Sequence, residues 1–321
     1  MAIEFNHETN DIVNSTGLIK LNGTAVGGDN SPVWYGSRGI FAGGGSYTDV
    51  IQYITIANTG DATDFGDLTE SRSAIGSCSD SSRGVFGGGN PTSSNATNVI
   101  DYITIASTGN ATDFGDLTGT TKYLAACSNS PRGVFGGGIF DGANSNVMQY
   151  VTIATTGNAQ DFGDLTASRN SLGSCSSATR GVFGGGYTGS AAINTIDYIT
   201  IASTGNATDF GDLTATKTAI AASSSGDGRG VFAGGNYSPI LDVIEYITIA
   251  NTGNATDFGD LTVARNDVSA SSNGTRGVFG GGSGSSTSDV IDYITIASTG
   301  NATDFGNLIA AKYAVSATSG T

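Results

Sequence analysis

Histidine occurs once in 321 residues, at His7, tryptophan once, at Trp34, and proline only four times. A single histidine excludes a His-based catalytic triad and a His-ligated zinc or copper site. Basic residues are also few: 13 Lys and Arg stand against 28 Asp and Glu, a net charge of −15. Neutralising phosphates needs clustered cations, so the composition excludes a nucleic-acid partner and disfavours an anionic membrane surface. No apolar run approaches the roughly 18 residues that cross a bilayer, so no membrane insertion is expected. The opening "MAIEFNHETNDI" has neither the basic nor the apolar segment of a signal peptide. The 50 glycines lack collagen's period of three, and their company of Val, Ile, Tyr and Phe points to a packed chain rather than a linker.

Those glycines are positional. An Arg-Gly dipeptide followed by two apolar residues and a glycine run recurs from Arg38, Arg83, Arg132, Arg180, Arg229 and Arg276, a period of 45 to 49 residues. Asp-Phe-Gly-(Asp/Asn)-Leu recurs in step from Asp64, Asp113, Asp161, Asp209, Asp257 and Asp304. With no run of 3.6 periodicity, such a period predicts propeller blades. One unit offers four strands, A (74–78), B (83–87), C (99–106) and D (112–117), bounded by Gly, Asn, Asp and Ser turns. Strand A holds small residues in all units ("AIGSCS", "LAACS", "AVSATS"), which places it at a crowded hub. The chain ends on a strand A without its B and begins its repeats on a B without its A. The expected fold is therefore an all-β, six-bladed propeller over residues 36–321, with 314–318 completing the blade that starts at Arg38. Residues 1–35 carry no repeat and form an extended segment for attachment or assembly.

Cys78, Cys127 and Cys175 fall 49 and 48 residues apart, at one place in three successive units. They read as buried apolar side chains rather than a disulfide framework. The Arg opening strand B is expected to pair with Asp of the "TDFGD" segment. A second basic set precedes strand A: Arg72, Lys122, Arg169, Lys217, Arg265 and Lys312. It lies on the face of the B–C loops, where ligand contact is its candidate role. Those loops vary while A, C and D barely change, and Tyr47, Phe140, Tyr187 and Tyr237 are their candidate contact residues. No cofactor or metal is expected, because the Asp-x-x-Asp spacing (Asp113, Asp116) lacks the calcium-loop pattern. The Asp residues recur by repeat, whereas a catalytic pair breaks the repeat at one place; the chain is not read as an enzyme. Asn-Ala-Thr, as at Asn110, reads as a turn with Gly and Asn at positive φ rather than as a glycosylation site.

The apolar strand ending in Gly-Gly ("VFGGG", 85–89), the apolar strand C, the aromatic in strand D and the basic residue before strand A together resemble kelch-type propellers. The resemblance covers about residues 36–321 and departs in strand D, where Phe65, Phe114, Phe162, Phe210, Phe258 and Phe305 stand in place of the usual Trp. The wording "YITIASTGNATDFGDLT" and the leading "IEFNHETNDIVNSTGLIKLNGTAVGG" are similar to repeats and openings of marine bacteriophage tail-fibre and structural proteins. That resemblance implies a virion protein assembled in the host cytoplasm, with residues 1–35 joining other virion proteins. Its expected role is an adhesin head for a host surface glycan or protein. A decoration or connector subunit and a polysaccharide-degrading enzyme are the alternatives, and homo-oligomerisation in the particle is a further expectation.

Overall fold

The computed structural model describes residues 36–80, 82–91, 95–224, 228–236 and 238–320, together with four short strands nearer the N-terminus. Contacts divide the chain into two units, Met1–Pro32 and Val33–Thr321. In the first, Glu4–Asn6 pairs with Asp11–Val13 and Lys20–Leu21 with Thr24–Ala25, both antiparallel.

The second unit is all-β, with no helix among the described residues, and is a propeller-like series of four-stranded antiparallel sheets. The first complete repeat gives the plan: Gly76–Ser79 (A), Arg83–Gly87 (B), Val99–Thr104 (C) and Thr112–Asp116 (D) are hydrogen-bonded in that order. The inner strands that follow are Ala125–Ser128, Gly173–Ser176, Ala221–Ser224 and Ser269–Ser272, each leading a sheet of the same order. In the remaining sheet Ser316–Gly320 lies beside Arg38–Ala42, with Val50–Thr55 and Thr63–Asp67 beyond. Strand B matches its expected bounds. Strand A begins two residues later than 74, and the last strand two later than 314, for one reason. Ala74 (φ 56) and Ala314 (φ 49) are left-handed, so the strand cannot include them.

The register of C against D slips between Ile100 and Asp101, where Phe114 is the extra residue of a bulge. The bulge turns Phe114 inward, 2% exposed, and leaves Thr112 and Asp113 in solvent. Consecutive sheets are joined at their outer edges. Gly109 N–H donates to Phe65 O and Ala111 N–H to Asp67 O, so each C–D turn covers part of the preceding sheet's edge. Asn110 Oδ1 accepts Asp67 N–H at 3.2 Å, and Asn158, Asn206, Asn254 and Asn301 repeat the contact. These asparagines are not at positive φ, contrary to expectation; among the turn residues only the glycine (Gly109, φ 155) is.

The glycine run after strand B is required by close approach. Gly88 (φ 67) places its Cα where a Cβ would lie 2.4 Å from Thr121 O, and Gly89 (φ 111) donates its N–H to that same carbonyl. Glycine at the end of strand B admits the next sheet's core: a Cβ on Gly87 would stand 2.8 Å from the Phe135 ring, which is wholly buried.

Inner strands are knitted by serine. Ser77 Oγ donates to Ala317 O and Ser79 Oγ to Ser319 O, and Ser128, Ser176 and Ser272 make the same bond to the strand before them. Cys78, Cys127 and Cys175 point the other way, onto Gly133, Gly181 and Gly230 of the following sheet. They are free and buried, and burial raises all three thiols, Cys175 to about 12. The equivalent positions in the next two units are Ser223 and Ser271, whose hydroxyls are buried with no hydrogen-bond partner. Since an unsatisfied buried hydroxyl costs about 1–3 kcal/mol, Ser223→Cys and Ser271→Cys should each stabilise the protein by about 1 kcal/mol. A denaturant midpoint that fails to rise in either variant would contradict this account.

Candidate functional site

Both basic sets make other contacts than the sequence reading assigns them. The strand B arginines do not meet Asp of "TDFGD". Each stacks on the tyrosine of its own strand C, from Arg132 over Tyr150 at 4.2 Å to Arg38 over Tyr53 at 4.7 Å. Each also donates to an isoleucine carbonyl of the following sheet, as Arg83 does to Ile153 O at 3.1 Å. The tyrosine in turn meets the strand D phenylalanine edge-on, Tyr102 and Phe114 at 6.0 Å. Strand C lies between B and D, so its tyrosine intercepts the guanidinium before any outer aspartate is reached.

The set before strand A is the one that forms ion pairs. Arg72 Nη2 meets Asp101 Oδ2 at 2.6 Å, Arg169 meets Asp197 at 2.9 Å, Lys217 meets Glu245 at 2.5 Å and Arg265 meets Asp292 at 2.6 Å, all with side chains at most 2% exposed. Desolvation lowers the three arginines despite their partners. At the two other positions strand C carries an amide. Gln149 Oε1 accepts the Thr118 N–H and Gln52 Oε1 the Ile309 N–H, while Lys122 is half-buried and Lys312 only 7% exposed. Arg72, Arg169, Lys217 and Arg265 therefore lock their D–A connections onto the sheets they enter and have no surface left for a ligand; where the chain enters the Ala125–Ser128 sheet, Thr121 rather than Lys122 stands at the equivalent place.

Of the loop aromatics, Tyr47 (37%) and Tyr187 (38%) are exposed. Tyr47 sits at φ 52 directly after Ser46 at φ 73, on a turn whose backbone presents the ring. Tyr187 pairs its backbone with Asn170 and donates its hydroxyl to Gly189 O at 3.0 Å. Phe140 is half-buried in a small sheet with Thr121–Lys122 and Ala143–Asn144, its ring over Gly119. Tyr237 lies outside the described residues.

The same face holds residues that the sequence reading passed over. The left-handed residue before each inner strand is, in chain order, Ala74, Tyr123, Ser171, Ala219, Asp267 and Ala314, with φ between 49 and 58. Each donates its N–H to the carbonyl of the one before it, and Ala74 donates to Ala314 O, all at 2.8–3.1 Å. Their side chains line a cavity of about 140 Å³ among the inner strands. Four of the six are Ala or Ser. The exceptions are Tyr123 and Asp267, three places apart. Burial raises the Tyr123 hydroxyl, and the charges of Asp267, Tyr47 and Tyr313 add to the effect, which puts all four within electrostatic reach. Tyr313 is 41% exposed, its ring lies where a Cβ on Gly45 would be, and its carbonyl accepts the Gly45 N–H at 2.6 Å. A signal existed in the sequence: nine residues before the Arg-Gly dipeptide, two units carry Tyr123 and Asp267 where others carry Ala74 and Ser171.

Burial raises the Asp267 carboxyl from 3.8 to about 6. A native state that keeps its proton up to pH 6 binds more protons than the unfolded chain between those values, so stability falls as pH rises through the window. Asn, which tolerates the left-handed conformation, removes the titration. Asp267→Asn should therefore raise stability by about 1–2 kcal/mol at pH 7.5 and leave it unchanged near pH 3.5. Melting curves at the two pH values test this; an equal shift at both would rule out titration as its origin.

No protein-family model matches the chain, and no curated protein matches it.

Proposed function

We propose that residues 36–321 form a six-bladed, kelch-like β-propeller closed by the C-terminal strand, and that this propeller is a non-enzymatic binding head of a virion. In this reading the face built from the B–C and D–A loops contacts a host surface glycan or protein, and residues 1–35 join other virion proteins. The observation that carries it is where the repeat breaks. Strands, outer turns and the Arg–Tyr–Phe stacks recur nearly unchanged, whereas Tyr47, Tyr123, Tyr187, Asp267 and Tyr313 differ from their equivalents and share one face. A rigid scaffold with one variable face suits recognition. Weak contacts of this kind gain strength when several copies act on one particle.

The assignment to a virion rests on the similarity of the repeat wording to phage fibre proteins. A decoration or connector role, in which the same face meets another particle subunit, is the competing reading.

Binding of the full chain to candidate host cells and to a glycan array distinguishes the two. The adhesin reading expects binding that Tyr47→Ala and Tyr187→Ala weaken. Absence of binding to any cell or glycan, with tight association to another particle subunit, would replace it by the connector role.

A further inference from the structure

We propose that the mouth of the hub cavity is a subsite for an organic ammonium group, supplied by the free amine of an amino sugar. This rests on the reading of the loop face as a glycan-binding surface and names the chemistry that surface would select.

The Asp267 carboxylate has no ion-pair partner among the described residues. Asp267 occupies a position where equivalent units have Ala or Ser, in a left-handed conformation at φ 51, on the wall of the cavity. The ion pairs of the described residues all lie elsewhere, each within a D–A connection. Among the described residues, the Asn266 amide nitrogen, correctly oriented, donates to its Oδ2 at 3.2 Å. A half-buried carboxylate with one amide donor is incompletely satisfied, and a cation is its natural complement.

The surroundings suit a cation carried on a carbon framework. Tyr123 shares the cavity wall, and Tyr313, next to the wall residue Ala314, holds its ring against Gly45. Aromatic faces beside a carboxylate attract ammonium groups, and a protein of net charge −15 draws cations towards it. The arginines and Lys217 on this face are locked into buried pairs, so they do not compete for Asp267.

The cavity wall below selects a polyol over an alkyl chain. Ser77 and Ser174 line it, and each donates its hydroxyl proton to a neighbouring strand carbonyl, which leaves oxygen lone pairs to accept from sugar hydroxyls. A lysine side chain would bring methylenes to those acceptors; an amino sugar brings O–H donors.

The test is a titration of the full-length protein at pH 7.5 with glucosamine, N-acetylglucosamine and lysine amide, followed by calorimetry or by tyrosine resonances. Glucosamine should bind at least about tenfold more tightly than its uncharged acetyl derivative, the value of one desolvated cation–aromatic contact. Asp267→Asn should lose that preference while still melting cooperatively, and Tyr123→Phe, which keeps the ring, should retain it. Equal binding of the two sugars, binding unaltered by Asp267→Asn, or no binding by either sugar would overturn the proposal. Tighter binding of lysine amide than of glucosamine would overturn the amino-sugar assignment in favour of a peptide. Failure of the adhesin reading looks different: glucosamine would titrate into the mouth while cells and glycan arrays stayed bare.

Discussion

Deleting residues 314–321 is expected to abolish cooperative melting of the repeat unit. The strand lost, Ser316–Gly320, pairs over its full length with Arg38–Ala42, from Ser316 opposite Ala42 to Gly320 opposite Arg38. The same segment supplies the carbonyls that accept Ser77 Oγ and Ser79 Oγ, and Ala314 both donates to Asp267 O and accepts from Ala74. Val315 is 7% exposed in a cluster with Phe41 and Val278. Removing all of this bares the edge of a strand whose Ile40 and Phe41 have no solvent exposure. With roughly 5–15 kcal/mol holding a typical domain together, a loss on the order of 5 kcal/mol or more leaves little. The open edge would also invite pairing with a second chain. Circular dichroism melts read the outcome, and excess synthetic peptide of the deleted sequence should restore part of the transition. A truncated protein that melts at the parent temperature would remove ring closure from the proposed fold.

The repeat made the series of four-stranded sheets legible because the strands of one unit are written once and copied. Strand B was placed to the residue, while strand A and the C-terminal strand were placed two residues early. Nothing in Ala74 or Ala314 signals a left-handed backbone; that conformation is imposed by the hydrogen bond each makes to its neighbour at the hub. The ion pairs were assigned to the wrong basic set for a similar reason. Sequence shows that Arg83 and Asp113 both recur, but not that Tyr102 stands between their strands. The partner of Arg72 is Asp101, a wholly buried acid in the otherwise apolar run "VIDYIT". The sequence reading sought contact residues in the B–C loops, and Tyr123 and Asp267 were passed over because they precede strand A rather than follow strand B.

The second large effect is expected at that buried pair. Arg72 and Asp101 are both wholly buried, and Arg72 also donates to the carbonyls of Gly88, Phe86 and Val99. An arginine cannot shed its charge by deprotonation at ordinary pH, so neutralising Asp101 leaves a cation in the interior. Asp101→Asn keeps an acceptor for the Thr69 N–H, now at 3.2 Å from Oδ2, and so isolates the charge from the hydrogen bond. Breaking a buried pair in this way costs about 3–5 kcal/mol, which denaturant unfolding would read directly. The chain contains its own comparison. Lys217 is matched with Glu245, but Lys312 stands in the same place with Gln52, whose Nε2 is buried without a partner. Gln52→Glu removes that orphaned donor and provides a counter-charge for Lys312, which burial lowers. It should be neutral or stabilising by about 1 kcal/mol, since charge gained and desolvation nearly offset. Opposite signs at two equivalent positions would show that the pair is matched by charge. If both variants were destabilised alike, the shape of strand C would matter at this position and its charge would not.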